Sequence, residues 1–140
     1  MKKMLVSILA LVAGVGVGGG AAYGTGRLLA APMPTVEKLE FVPTGPILAP
    51  LVFSDGRLAS YVSFEVQLEV PADRRDDIAA KMPVLLNAVN MRTYRTPMAS
   101  GRDGTIPSLA AFRRVVFDAA QETYGKNVVR RAIVTQAAPI

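Results

Sequence analysis

The thirteen residues Leu58–Val70, LASYVSFEVQLEV, constrain the fold of this chain more than any other stretch. Leu58, Val62, Phe64, Val66, Leu68 and Val70 hold one parity, while Tyr61, Glu65, Gln67 and Glu69 hold the other. A period of two belongs to a strand with one face buried and one facing water; a helix would scatter the same residues around its circumference. Burying each Val, Leu or Phe contributes roughly 1.5–3 kcal/mol. A one-residue slip would push Glu65, Gln67 and Glu69 into the core, so the register is strongly specified. Upstream, Asp55-Gly56 separates this run from another apolar run, Ile47–Phe53. Asp-Gly in that setting is a strong short hairpin signal, because both of its residues can take positive φ. Ile47–Val70 is therefore expected as a hairpin, its first arm an edge or bulged strand because of Pro46 and Pro50.

The N-terminus is built differently. Lys2 and Lys3 precede an uncharged run from Met4 to Gly26, long enough to cross a bilayer with some tilt. Lysines ahead of such a run stay cytoplasmic, which predicts an N-in, single-pass anchor with the remainder of the chain outside the cytoplasm. A cleaved signal peptide is the alternative, given the basic start and the small residues Gly20-Ala21-Ala22. The length of the run favours the anchor. Gly14, Gly16 and Gly19 satisfy G-x-G-x-x-G, but a dinucleotide fingerprint needs a strand before and a helix after it, and this context supplies neither. Ala10, Gly14, Gly18 and Ala22, four residues apart, instead line one helix face and are the candidate residues for transmembrane self-association.

Prolines at 32, 34, 43, 46 and 50 then break any helix, so residues 32–46 read as a linker, with Leu39–Val42 a short strand within it. After Val70, Pro71-Ala72-Asp73 opens a helix with acidic residues in its first turn. Ile78, Met82, Leu85, Leu86 and Val89 give it an apolar stripe, and Pro83 predicts a kink or two helices meeting there. The turn-forming stretch Thr96–Pro107 is expected as an exposed loop. Ser108 as N-cap and Gly125 as stop delimit a last helix, with Leu109, Phe112, Val115, Val116 and Ala119 facing inward. Val128–Ala137 closes the chain as a strand that buries Val129 and Ile133, with Val128, Ala132 and Val134 as further candidates for the buried face. The expected fold class is α+β: an N-terminal transmembrane helix (1–31), a proline-rich linker (32–46) and one small domain (47–140) of β-hairpin, kinked helix pair, helix and final strand.

The residues that carry catalysis are scarce. The chain has no cysteine and no histidine, which removes thiolate nucleophiles, zinc–thiolate sites, the imidazole base and the Ser-His-Asp triad. Glu65 and Glu69 are expected to face solvent, where nothing tunes a carboxylate. Asp73, Asp76 and Asp77 are explained by the helix start. Asp103, in Ser100–Thr105, lacks the further acidic ligands of a calcium loop. The net charge of +5 owes three charges to Lys2, Lys3 and Arg27; beyond them, arginines alternate with aspartates rather than clustering as a nucleic-acid surface requires. No enzyme, no cofactor, no metal, no nucleic acid and no small-molecule substrate is expected. Such a domain acts through surfaces. If it is tethered to a membrane, weak lateral contacts accumulate, and a homo-oligomer is expected. The candidate partner contacts are Ser100, Arg102 and Asp103 in the Thr96–Pro107 loop, ahead of the proline-blunted edge of the hairpin.

Several of these segments together resemble the flagellar basal-body-associated protein family FliL, in its alphaproteobacterial type. The basic N-terminus, glycine-rich anchor and proline-rich linker are similar, as is the strand DGRLASYVSFEVQLEV with its closing LEV. Pro83-Val84-Leu85-Leu86-Asn87-Ala88 resembles a helix word of the family, with Asn87 where Asp is usual. Leu109 to Arg114 resembles the start of its last helix, and Val128–Thr135 its closing strand; the ending Gln136–Ile140 departs from the Gln-rich tail of many members. The resemblance implies a bitopic inner-membrane protein with a periplasmic, stomatin/prohibitin-like domain. Family members assemble around or beside the stator units of the flagellar motor and support torque, without a cofactor. The competing readings are a membrane-anchored periplasmic scaffold of another envelope complex and a secreted periplasmic binding domain.

Overall fold

A computed structural model describes residues 32–140, and the compact unit within it runs from Glu37 to Ile140. The expected anchor, and with it Ala10, Gly14, Gly18 and Ala22, lies outside the described residues. Among the described residues no helix is long and apolar enough to cross a membrane. The unit is α+β. A three-stranded antiparallel sheet in the order β1-β2-β5 is built from β1 (Leu39–Val52), β2 (Leu58–Pro71) and β5 (Arg131–Pro139). Three helices accompany it: α1 (Arg75–Ala80), α2 (Met82–Thr93) and α3 (Leu109–Tyr124). A two-stranded ladder, β3 (Ala99–Ser100) with β4 (Ile106–Pro107), joins α2 to α3.

The alternation of β2 holds from Val62 to Leu68, after which Glu69, Val70 and Pro71 are all buried. Val62, Phe64, Val66, Leu68 and Val70 are fully buried, and Phe64 stacks on Phe112 of α3 with ring centroids 3.8 Å apart and planes 13° from parallel. Ile78, Leu85, Val89, Val115, Val116, Ala119 and Ala120 complete the core from the helices. Two expectations on burial fail at the ends. Leu58 is 53% exposed, because the register shifts between Leu51 and Val52, leaving Ala59 as the extra residue and reversing the parity of Leu58. Leu109 is also exposed, since it stands in the first turn of α3, one turn before the helix meets the sheet.

The first arm is longer than its prolines suggest. β1 begins at Leu39, so most of the stretch expected as linker 32–46 is strand. The accommodation is a bulge: Pro43 pairs Gln67 and Pro46 pairs Glu65, leaving Thr44 and Gly45 opposite Val66 alone. Gly45 takes φ +73°, and the hydroxyl of Thr44 lies 2.9 Å from the Gly45 carbonyl and 3.3 Å from that of Val66. The extra residue switches parity, so Val42 and Thr44 are buried before the bulge and Ile47, Ala49 and Leu51 after it. β1 is an edge strand, where a missing N–H costs no ladder bond if it faces outward. The hairpin expected across Asp55-Gly56 is present, closed by more than a two-residue turn. Only Gly56 has positive φ (+86°), and Gly56 N–H donates to Phe53 O (3.0 Å) while Phe53 N–H donates to Arg57 O (2.9 Å). This is a longer loop in which Asp55 caps Arg57 N–H (3.0 Å) instead of taking the left-handed conformation.

Past Pro71, a 3-10 turn (Ala72–Arg74) leads into α1, and the helical path breaks at Lys81 (φ −95°, ψ 9°). Pro83 thereby falls in the first turn of α2, where its missing N–H has no intrahelical partner to lose. α3 starts on Ser108, whose side chain accepts from Ala111 N–H at 3.4 Å, and stops at Gly125 (φ +100°). The last strand starts at Arg131, three residues later than Val128, because Asn127 takes a left-handed turn (φ +65°) that Gln121 clamps. Gln121 accepts from Asn127 N–H (3.1 Å) and donates to Val129 O (3.4 Å). Val129 is buried as expected, but Ile133 is only half-buried: it pairs with Gln67 on the outer face, and Ala132, paired with Leu68, takes the core position.

Candidate functional site

The Thr96–Pro107 segment is not the structureless exposed loop its composition suggests. Met98 is fully buried, its N–H donates to Val52 O (3.0 Å) and its carbonyl accepts from Ser108 N–H (2.8 Å). The β3–β4 ladder then carries Gly101 (φ +81°) and Gly104 (φ +65°) on either side of the tip. Gly104 is buried under the main hairpin: a Cβ there would stand 2.6 Å from Ala59 Cβ and 2.9 Å from Phe53 Cε1. The segment is thus a small hairpin docked on the turn end of β1 and β2. Of the three candidate contacts, Ser100 is committed locally, its hydroxyl donating to Ile106 O at 2.7 Å. Arg102 and Asp103 project from the tip, both exposed, beside Ile106 at 60% exposure. Arg57, stacked 5.2 Å over the Phe53 ring and paired with Asp55 (2.7 Å), adds a cation at the same end of the domain.

A second surface feature lies between α2 and α3, an open groove of about 850 Å3. Asn87 and Met91 of α2, with Arg95 just past its end, face Arg114 and Asp118 of α3 across it, and the Arg92–Glu122 ion pair ties its walls together. Asn87 brings no charge to this groove, which is where an aspartate at that position would have stood. The outer face of the sheet is the third: Phe41 and Leu48 of β1 and Tyr61 of β2 are all exposed on it.

The roles that sequence reasoning missed are ties between distant segments. Glu69, expected to face water, is 7% exposed and accepts two 2.7 Å bonds from the Arg131 guanidinium across the β2–β5 pair. Those bonds hold its carboxyl below the ordinary glutamate value, outweighing the desolvation that acts the other way. Tyr124, at the end of α3, is buried and donates to Ile78 O of α1 at 3.0 Å. Desolvation, followed by the nearby Asp77 charge, pushes its phenol up to about 12, so it holds its proton at neutral pH and acts as a structural tie. Neither could have been found from spacing, because each joins positions 62 and 46 residues apart. The Thr44 bulge did carry a signal: Thr-Gly inside a strand pattern.

The chain supplies no imidazole or thiol, and among the described residues no three metal-ligating side chains cluster. A scan against protein-family models found no match, and a search of curated proteins found none either.

Proposed function

We propose that this chain is a non-enzymatic component of the flagellar basal body of the FliL type. In this reading residues 1–31 form a single-pass anchor in the bacterial inner membrane, N-terminus inside. The domain from Glu37 onward is periplasmic and stomatin/prohibitin-like, assembles with copies of itself beside stator units and supports motor torque. One observation supports the reading beyond sequence words. The Leu68-Glu69-Val70 word and the Val128–Thr135 word, far apart in the chain, lie side by side as β2 and β5 and are joined by the Glu69–Arg131 pair. The other two words, at Pro83 and Leu109, open α2 and α3. These four segments therefore fall on an element start or a strand pair that organises the domain. The exposed Arg102–Asp103 tip is the proposed partner contact.

Deleting the gene in its host tests this. The expected result is impaired swimming in cells that still assemble filaments, restored by the full chain in trans. Unimpaired swimming would overturn the motility role and leave a scaffold of another envelope complex. Recovery of the mature chain in the soluble periplasmic fraction would favour a secreted binding domain.

A further inference from the structure

A further groove, of about 510 Å3, runs along β5 where α3 overhangs it. The order β1-β2-β5 leaves β5 with one strand neighbour, so alternate backbone N–H and C=O groups along its other edge have no strand partner among the described residues. Native edges are usually blunted, and β1 shows how, with Pro43, Pro46, Pro50 and a bulge. β5 is not blunted in this way between Arg131 and Val134, before its own bulge at Thr135. Arg113, Arg114 and Phe117 of α3, at helical spacing, face Ala132 and Ile133 of β5 across the groove, with half-buried Phe117 and Ile133 giving it an apolar lining.

The charge at this site is unbalanced. Arg130 and Arg131 are each held by a two-bond contact, with Glu37 and Glu69 respectively. Arg113 and Arg114 make no ion pair among the described residues, and residues 1–31 contain no acid. Asp118, the one carboxylate lining the groove, offsets half of that free charge. We infer that the groove takes an acidic segment of another protein in extended conformation, added as a strand to β5 with its carboxylates at Arg113 and Arg114. A second copy of this chain is the poorer occupant. Its own N-terminal edge acids are already held, Glu37 by Arg130 and Glu40 by Lys38 and Arg75, and the prolines of β1 lack donors. A lipid headgroup would answer the arginines and leave the β5 backbone unpaired. The inference does not rest on the flagellar reading.

The test uses the full chain purified in detergent and a short fluorescein-labelled peptide alternating glutamate and valine, followed by anisotropy. The expected result is saturable binding, weakened about tenfold or more in the Arg113→Glu/Arg114→Glu variant and unchanged in Lys81→Gln. The same peptide with glutamine for glutamate should lose a similar factor, and a backbone N-methylated version should not bind. No binding up to about 1 mM would overturn the inference, as would an unaffected double variant or equal affinity for the glutamine peptide. Equal binding of the N-methylated peptide would make the groove a charge patch and overturn strand addition. Dispersal of the chain's own oligomers by the glutamate peptide, seen in sedimentation, would assign the edge to a second copy instead.

Discussion

Gly104 has no room for a methyl group. Its φ of +65° disfavours any L side chain, and Ala59 and Phe53 occupy the space a Cβ would need. Gly104→Ala is expected to cost about 2–4 kcal/mol, strain and overpacking together. Gly56→Ala, with φ +86° and nothing within 4 Å, carries the strain alone and should cost about 1 kcal/mol. Urea midpoints of the two variants check this; equal shifts would remove the docking of the small hairpin on the main turn. Glu69 makes a pH prediction. Its folded carboxyl sits below its ordinary value of 4.5, so its contribution is fully present above that value and is lost as pH falls through the lower, folded value. Asp55, lowered by its bonds from Arg57, acts with the same sign but only below its own ordinary value of 3.8. Melting temperature should therefore fall more steeply below pH 4.5 in the wild type than in Glu69→Gln, while at neutral pH the variant is the less stable. Parallel curves would show that the Arg131 bonds contribute nothing net.

At the scale of elements, α1 has six residues and is too short to persist by itself. It is held by burial of Ile78 and by the Tyr124 hydroxyl on the Ile78 carbonyl, which fastens it to the end of α3. Tyr124→Phe keeps the ring and strands that buried carbonyl, at an expected cost of about 1–2 kcal/mol. Hydrogen exchange locates the effect: amides of α1 should lose protection before those of β2, and uniform loss across the domain would count against a local tie. The helix break followed from sequence, since Pro83 cannot sit mid-helix, but its placement at Lys81 did not. Likewise the edge status of β1 was legible in its prolines. Its length was not, because the bulge at Thr44-Gly45 depends on a pairing partner that sequence patterning does not reveal.

For the whole molecule, the proposed topology and self-association make one experiment. The chain has no cysteine, so single cysteines report without background. Cysteines at Gly14 or Gly18 and at Arg102 should give dimer-sized adducts in membranes, and the Arg102 position should label from the periplasmic side of intact cells. Strictly monomeric products at all three positions in a motile strain would remove the oligomer. A mature N-terminus between Gly20 and Pro32, found by mass spectrometry, would replace the anchor with a cleaved signal peptide.

The sequence by itself determined the α+β class, the buried parity of β2, the caps of α3 and the poverty of catalytic groups, because periodicity, capping and composition are local properties of the chain. The tertiary structure decided what depends on pairing. Register shifts at Ala59, Thr44-Gly45 and Thr135 reset which residues face the core, turning Leu58 and Ile133 outward. Glu69 left the solvent because Arg131 arrived opposite it, and the turn-rich Thr96–Pro107 segment became ordered because Phe53 and Ala59 gave Gly104 a place to dock. Local pattern fixes which face of an element is apolar; only the neighbour that pairs with it fixes which of its polar groups are covered.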